Sequence, residues 1–249
     1  MSPAEWVEAI GPESLPRDVA PLLDHAETDE SHLLRLLRKR ELPGTVIEAV
    51  ARHERWNGRR GIRAAIVMHG KTPRTLALRL LSLLLWRDQL RIATNLRLHA
   101  SLRIAAEARL RERFAELELG EKISMARSAP SGLLPLLLNE DHPRVVAALL
   151  GNPRLGEKDV VAILRREKAS SEVLRITAQS ERWSSRPAIR TAILSHPATP
   201  VHTALKLLGR LPRQEVRQLL ASGALPRIVG LSAQRILEGE RPKKHGLAR

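Results

Sequence analysis

The sequence predicts an all-helical fold, and three observations support this prediction. Leu, Ala and Arg dominate nearly every segment of the 249 residues, and these residues favour helices. No strand-length run shows the alternation of β-branched or aromatic residues with polar ones that a half-buried strand requires. The chain also repeats itself with a period typical of stacked helices. Because 43% of the residues are hydrophobic but only 2% are aromatic, aliphatic side chains must fill the core.

One long segment of the chain occurs twice. The segment HERWNGRRGIRAAIVMHGKTPRTLALRLL begins at His53 and recurs 127 residues later as SERWSSRPAIRTAILSHPATPVHTALKLL, which begins at Ser180. At this offset, the 70 residues that start at Leu15 contain 27 identities. Residues 15–110 and 142–237 are therefore predicted to be two copies of one folded unit.

A shorter period divides each copy into three units of about 42 residues. VVAALLGNP, from Val145, matches IRTAILSHP, from Ile189, 44 residues later. Each predicted helix has only about 10–14 residues and needs its neighbours for stability. The sequence therefore predicts a right-handed α-solenoid of about six repeats, arranged as a duplicated three-repeat unit.

Turn residues mark the predicted helix starts. Thr72 and Thr199 each precede a proline, and we expect each threonine to cap the helix that follows. From Val201 onward, apolar residues at positions i, i+3, i+4 and i+7 form one broad apolar face, which indicates a helix.

The repeat turns carry a resemblance to a known class of repeats. The turns GNPRLG, from Gly151, and SHPATP, from Ser195, follow helices with a V/I-R-x-A-I/V pattern. In these features the chain resembles leucine-rich repeat variant and HEAT-like repeat proteins, which are bacterial α-solenoids. The resemblance covers nearly all of residues 15–237 and implies the fold; members of this broad group bind proteins, and some bind nucleic acid. DHAET, from Asp24, replaces this turn in the first unit, which we expect to be a capping repeat.

The charge of the chain is large and uneven. The formal net charge is +15, yet residues 1–31 contain eight acidic residues and one basic residue, which leaves about +22 on the remainder. The segment from Arg55 to Arg113 contains 14 basic residues and three acidic ones. Such a surface favours a polyanion or an acidic protein as the partner, although charge also keeps proteins soluble.

These patterns divide the chain into three parts. We expect an acidic lead-in at residues 1–14, a single α-solenoid at residues 15–240 and a disordered basic tail at residues 241–249. No linker rich in Gly, Ser or Pro separates the two copies, so one continuous superhelix is expected. The chain has no cysteine, no signal-peptide pattern and no apolar run near the roughly 20 residues of a membrane helix. A soluble, cytoplasmic protein without a membrane partner is expected.

The tryptophans differ in their relation to the duplication. Trp56 and Trp183 occupy equivalent places in the two copies, which favours an apolar plug at a helix entrance over a ligand-stacking role. Trp86 has no counterpart and lies in the most basic segment. We expect Trp86 to be an exposed contact residue.

Two pairs of arginines occupy equivalent positions in the two copies: Arg59 with Arg63, and Arg186 with Arg190. Members of a pair are four residues apart and therefore share one helix face. They either form a ridge for an extended ligand or make salt bridges to Glu54 and Glu181, and the sequence leaves both alternatives open.

The sequence offers little support for catalysis or metal binding. His69 and His196 end amphipathic helices where Asn152 stands in a related repeat, which favours capping over metal ligation. No nucleophile motif, phosphate-binding loop or cofactor motif is present. HEAT-like alkylpurine DNA glycosylases show that related folds can be enzymes, but the consecutive residues Trp86-Arg87-Asp88 match their site poorly. We expect no enzyme activity, no cofactor and no metal.

The leading hypothesis is a non-catalytic scaffold that binds a protein with an acidic surface along an extended solenoid surface. The alternative is sequence-tolerant binding of DNA or RNA through phosphate contacts. The candidate binding surface for either ligand comprises Arg59, Arg63, Trp86, Arg87, Arg91, Arg186, Arg190, Lys243 and Lys244.

Overall fold

The structure is a computed structural model that describes residues 1–239. Within that range the chain forms nineteen α-helices, two short 3-10 helices and no β-strand, so the prediction of an all-helical fold is confirmed. None of the described helices is long and apolar enough to cross a bilayer. The predicted disorder of residues 241–249 lies outside the described residues. The chain divides into two compact units, residues 1–117 and residues 118–249.

The first unit contains nine α-helices. They are α1 (Pro3–Ala9), α2 (Pro16–Asp24), α3 (Glu30–Leu36), α4 (Gly44–Arg52), α5 (Glu54–Asn57), α6 (Arg60–Met68), α7 (Arg74–Leu81), α8 (Trp86–Thr94) and α9 (Ala100–Arg113). Helix α2 packs on α4 and α3 packs on α6, while α7 and α8 both pack on α9. Because α1 packs on α2 and α3, the acidic lead-in contributes Val7 and Ile10 to the core.

The second unit contains ten α-helices. They are α10 (Leu119–Ser128), α11 (Leu134–Leu137), α12 (Pro143–Leu150), α13 (Glu157–Leu164), α14 (Ser171–Gln179), α15 (Glu181–Ser184), α16 (Pro187–Ser195), α17 (Val201–Leu208), α18 (Arg213–Ala221) and α19 (Arg227–Glu238). Helix α10 packs on α12, α12 on α14 and α13 on α16, while α17 and α18 pack on α19.

The helices of the two units correspond one to one over most of their length. The eight helices from α2 to α9 begin 127 residues before the eight helices from α12 to α19, as from Pro16 to Pro143. Their contacts correspond as well, since α2 packs on α4 as α12 packs on α14, and α3 packs on α6 as α13 packs on α16. The two copies can therefore be compared position by position.

Trp56 and Trp183 fill corresponding junctions between helices. Both side chains are buried. The indole Nε1 of Trp56 donates a hydrogen bond of 2.9 Å to the carbonyl of Leu23, and that of Trp183 donates one of 2.8 Å to the carbonyl of Leu150. These carbonyls lie at the end of a helix 33 residues earlier in the chain. The interpretation of the two tryptophans as apolar plugs is confirmed, and each also caps a helix.

His69, Asn152 and His196 hold three corresponding turns after helices α6, α12 and α16. Each side chain accepts a hydrogen bond from the backbone N–H two residues later. At its other end, each side chain bonds the backbone carbonyl of a residue 26 to 30 positions earlier. These carbonyls belong to Lys39, Ala126 and Arg166, at 2.9, 2.9 and 3.1 Å. The capping interpretation of the histidines is confirmed.

Thr72 and Thr199 do not cap the helices that follow them. Helices α7 and α17 begin two residues later, and each threonine hydroxyl donates instead to the carbonyl of Ile66 or Ile193 in the preceding helix, at 2.5 Å. The expectation was wrong because the turn brings the hydroxyl to the last carbonyls of the preceding helix, which have free acceptor capacity.

Several basic side chains donate to backbone carbonyls at the ends of earlier helices. The carbonyls lie 26 to 31 residues before the donor in the chain. The donors include Lys39, Arg55, Arg113, Arg166 and Arg182. Of these, Arg166 alone also pairs with a carboxylate, that of Asp141, in the described residues. Since a carbonyl carries no formal charge, the other four leave their positive charge uncompensated, and part of the net charge has a structural origin.

We expect His196→Ala to lower the free energy of unfolding by about 1–3 kcal/mol, because it removes both hydrogen bonds in a partly buried turn. His196→Asn should recover most of this loss, since Asn152 makes the same two kinds of contact at a corresponding turn. Urea-induced unfolding followed by circular dichroism measures the difference. An equal loss in both variants would contradict the capping role.

Candidate binding groove

A groove of about 890 Å³ lies on the first unit, along helices α3, α6 and α8 and the turns that follow them. We call it the arginine groove. Its basic lining residues are Arg38, Arg40, Arg60, Arg91 and Arg97. Its apolar lining residues are Leu34, Leu37, Ala64, Ala65, Met68 and Leu98. Five arginines face a single carboxylate, that of Asp88, so the lining has a formal excess of four positive charges.

Asp88 lies between two of the groove arginines. Its side chain is 9% exposed, and its carboxylate oxygens lie 3.0 Å from Nε of Arg60 and 3.7 Å from Nη1 of Arg91. Both guanidinium side chains remain more than half exposed. The groove therefore already holds one carboxylate between guanidinium groups.

The other three groove arginines are free to bind a ligand. Arg38, Arg40 and Arg97 are exposed. Within residues 1–239 their side chains make no ion pair and no hydrogen bond. A guanidinium group can bind a carboxylate or a phosphate through two parallel hydrogen bonds, so these three side chains provide unused capacity for anions.

A glycine at the edge of the groove determines where one nearby carboxylate lies. A Cβ atom on Gly61 would collide with Oε1 of Glu30, so the glycine lets this carboxylate lie against the first turn of α6. In the second unit an alanine replaces this glycine, and Glu157, the counterpart of Glu30, pairs with Arg186 at 2.8 Å. Arg59, the counterpart of Arg186, is exposed and has no side-chain partner in the described residues.

The second copy of the fold lacks most of the groove arginines. The counterparts of Arg40, Arg60, Arg91 and Arg97 are Glu167, Pro187, Gln218 and Ala224. Arg38 alone has a basic counterpart, Arg165. Because the helices begin at corresponding residues in both copies, the four arginines that differ are not required for the fold.

The predicted contact residues of the first unit have different environments. Arg91 lines the groove, whereas Arg59 and Arg87 are exposed outside its lining. The Arg87 guanidinium lies 5.4 Å from the ring centroid of Trp86. Arg63 donates from Nε to the carbonyl of Asn57 and thus supports the turn before α6.

Trp86 is buried, with 8% of its surface exposed, so the prediction of an exposed contact residue is wrong. It is the first residue of α8, and Leu90 and Ala93, four and seven residues later, lie on the same buried helix face. The lack of a duplicated counterpart therefore did not indicate exposure.

The predicted contact residues of the second unit that the structure describes form salt bridges with carboxylates. Arg186 pairs with Glu157, and Arg190 makes two hydrogen bonds of 2.7 Å to the Glu215 carboxylate. The salt-bridge alternative is therefore confirmed for these two arginines, although Glu181 is not the partner. Lys243 and Lys244 lie outside the described residues.

Four groove residues, Arg38, Arg40, Arg60 and Arg97, are not among the residues predicted from the sequence. Four of the predicted arginines, Arg59, Arg63, Arg186 and Arg190, were chosen because they recur in both copies, and recurrence also selects residues that support the fold. The basic run RLLRKR, which begins at Arg35, and the differences between the two copies were signals for the groove.

The described side chains offer no other centre of unusual chemistry. Within residues 1–239 no group of three or more His, Asp or Glu side chains could hold a metal ion. Two carboxyl pKa values outside the groove are lowered. A hydrogen bond from the Ser31 hydroxyl lowers the pKa of Asp29, and the hydrogen bond from Arg175 lowers the pKa of Glu172.

Comparisons of the chain with protein-family models, with curated proteins and with solved structures find no match.

We expect Glu215→Gln to destabilise the protein more than Asp88→Asn. Arg190 is 14% exposed, so the loss of its carboxylate leaves a largely buried cation unpaired and should cost about 3 kcal/mol. Arg60 and Arg91 can return to water after Asp88→Asn, which should cost about 1 kcal/mol or less. Urea-induced unfolding of both variants tests this order. If Asp88→Asn proved the more damaging change, Asp88 would be part of the fold rather than of the groove.

Proposed function

We propose that this chain is a non-catalytic α-solenoid that binds an acidic protein partner through the arginine groove. The proposal includes about six HEAT-like or leucine-rich repeat variant units in two three-repeat copies. The groove lies on a surface to which several successive helices contribute. Repeat proteins commonly bind macromolecules on surfaces of this kind.

Regular side-chain contacts support the repeat architecture. The tryptophan, histidine and threonine contacts described above recur at the same offset as the helices, as in Trp56 and Trp183. Each joins a turn or helix to carbonyls at the end of an earlier helix. This is the pattern expected when every unit is stabilised chiefly by its neighbours.

The main support for a binding role of the groove is that the second copy lacks most of its arginines. Residues that support the fold, such as His69 and His196, are the same in both copies, whereas four of the five groove arginines have non-basic counterparts. Arginines that the fold does not need, gathered on one surface around a single carboxylate, are best explained by an anionic ligand.

A protein partner is favoured over nucleic acid. Binding along a nucleic-acid backbone would use phosphate contacts spread over both copies, but carboxylates neutralise Arg186 and Arg190 in the second copy. Lys243 and Lys244 lie outside the described residues. Arg63 and Arg190 also hold backbone carbonyls, so replacing them would disturb the fold as well as any ligand contact. A basic protein nevertheless binds DNA weakly through phosphates, and the test must separate this effect.

The groove variant Arg40→Glu/Arg91→Gln/Arg97→Ala should lose the protein partners that the wild-type chain captures from a nuclease-treated lysate of its own organism. The three replacements are the residues of the second copy, so the helices should tolerate them. Capture followed by quantitative mass spectrometry should show at least about a tenfold loss, equivalent to about 1.4 kcal/mol of binding free energy.

A control variant matches the change in charge outside the groove. Arg74→Glu/Arg79→Gln/Arg17→Ala removes the same total charge from exposed positions in the first unit. This control should retain its partners. The proposal fails if the groove variant and the control capture the same proteins equally well, or if nucleic acid alone co-purifies with the wild-type chain.

A further inference from the structure

The groove combines positive charge with an apolar floor, and this combination restricts its ligand. We infer that the arginine groove binds an acidic protein segment that also carries apolar side chains, rather than nucleic acid or a purely charged chain. This inference rests on the proposed function and specifies the chemistry of its partner.

The floor of the groove is accessible to a ligand. Leu34, Ala65 and Met68 line it and are only partly buried, and they lie on helices α3 and α6 between the basic turns. Apolar surface of this kind gains free energy only when a ligand covers it with apolar atoms. Met68 is unbranched and flexible, so it can adapt to side chains of different shape.

Nucleic acid matches this surface poorly. A duplex presents charged phosphates and hydrophilic sugars on its outside, which would leave Leu34, Ala65 and Met68 without apolar contacts. A single strand could place bases on the floor, but such strands bind by stacking on aromatic rings, and the lining contains no Phe, Tyr or Trp. Its one imidazole, that of His69, is buried and hydrogen-bonded through both ring nitrogens.

Carboxylates match the arginines of the groove. Asp88, held between Arg60 and Arg91, is a carboxylate in this same surface. Arg38, Arg40 and Arg97 have no such partner in the described residues. A segment with glutamate or aspartate beside leucine-like residues would supply carboxylates to these three guanidinium groups and apolar side chains to the floor.

Three fluorescent probes can test this inference. The first is a peptide of about 20 residues in which a pair of glutamates alternates with a pair of leucines. The second is the same peptide with every leucine replaced by serine, so that length and charge are unchanged. The third is a duplex DNA of mixed sequence. Anisotropy titration at about 150 mM NaCl limits long-range charge effects. We expect the leucine peptide to bind the wild-type chain at least about tenfold more tightly than the serine peptide or the DNA.

Variants of the floor and the rim separate the two contributions. The floor variant Met68→Ser introduces the residue that stands at this position in the second copy, Ser195. It should weaken binding of the leucine peptide about tenfold and leave the serine peptide unaffected. The groove variant Arg40→Glu/Arg91→Gln/Arg97→Ala should weaken both peptides.

Controls keep the result interpretable. Ile104→Ser removes an exposed apolar side chain of the same unit outside the groove and should change neither affinity. Thermal unfolding followed by circular dichroism identifies any variant that has lost its fold, and Met68→Gln then replaces the floor variant.

The outcomes distinguish the inference from the proposed function. If the two peptides bind equally well, or if the floor variant has no effect, the inference is overturned. The proposed function would survive that result as long as the groove still binds acidic peptides. Tighter binding of DNA than of either peptide would make nucleic acid the ligand. If none of the probes binds even at about 50 mM NaCl, the groove is not an anion-binding surface and both proposals fail.

Discussion

The structure depends on one recurring interaction, in which a side chain of one helical unit donates a hydrogen bond to a carbonyl at the end of an earlier helix or in the turn that follows it. Trp56, Arg55 and His69 make this contact in the first unit, and their counterparts make it in the second. The helices are too short to be stable alone, and their last carbonyls have no intrahelical partners. A donor about 30 residues later satisfies both needs, because it caps one helix and fixes the position of the next.

Because of this interaction, the net charge does not measure how much positive charge is available to a ligand. An arginine that bonds to a carbonyl is fully used by the fold, yet it still counts as an unpaired positive charge in the sequence. Arg55, Arg113 and Arg182 are of this kind. The charge of a repeat protein built in this way overstates the cationic surface available to a ligand. Position-by-position comparison of the two copies separates the two kinds of arginine, since Arg55 has the counterpart Arg182 whereas Arg97 is matched by Ala224.

Recurrence of residues in the two copies made the fold predictable from the sequence, and the same recurrence made the predicted binding site wrong in part. Recurrence in two copies identified Trp56, Trp183, His69 and His196, and all four have the structural roles expected of them. Recurrence also led to Arg190 as a binding residue, although it is bound to Glu215. The local roles of Thr72 and Trp86 could not be predicted, because each depends on the direction that the chain takes after a turn. The groove was missed because its arginines come from three separate segments, namely the turn after α3, the start of α6, and α8 with the turn after it, and these segments meet only in the folded chain.

Gly61 shows how little change is needed to alter the surface of such a protein. Because residue 61 has no Cβ atom, the Glu30 carboxylate can lie on the first turn of α6, and Arg59 remains without a partner in the described residues. In the second copy one additional methyl group occupies that place, and the corresponding glutamate turns to the corresponding arginine. The two copies thus differ in whether this surface cation is masked by a carboxylate, and at the start of this helix they differ in two neighbouring residues, Arg60 against Pro187 and Gly61 against alanine. After a duplication, substitutions at a few positions beside a shared arginine can give two copies of one scaffold different electrostatic surfaces.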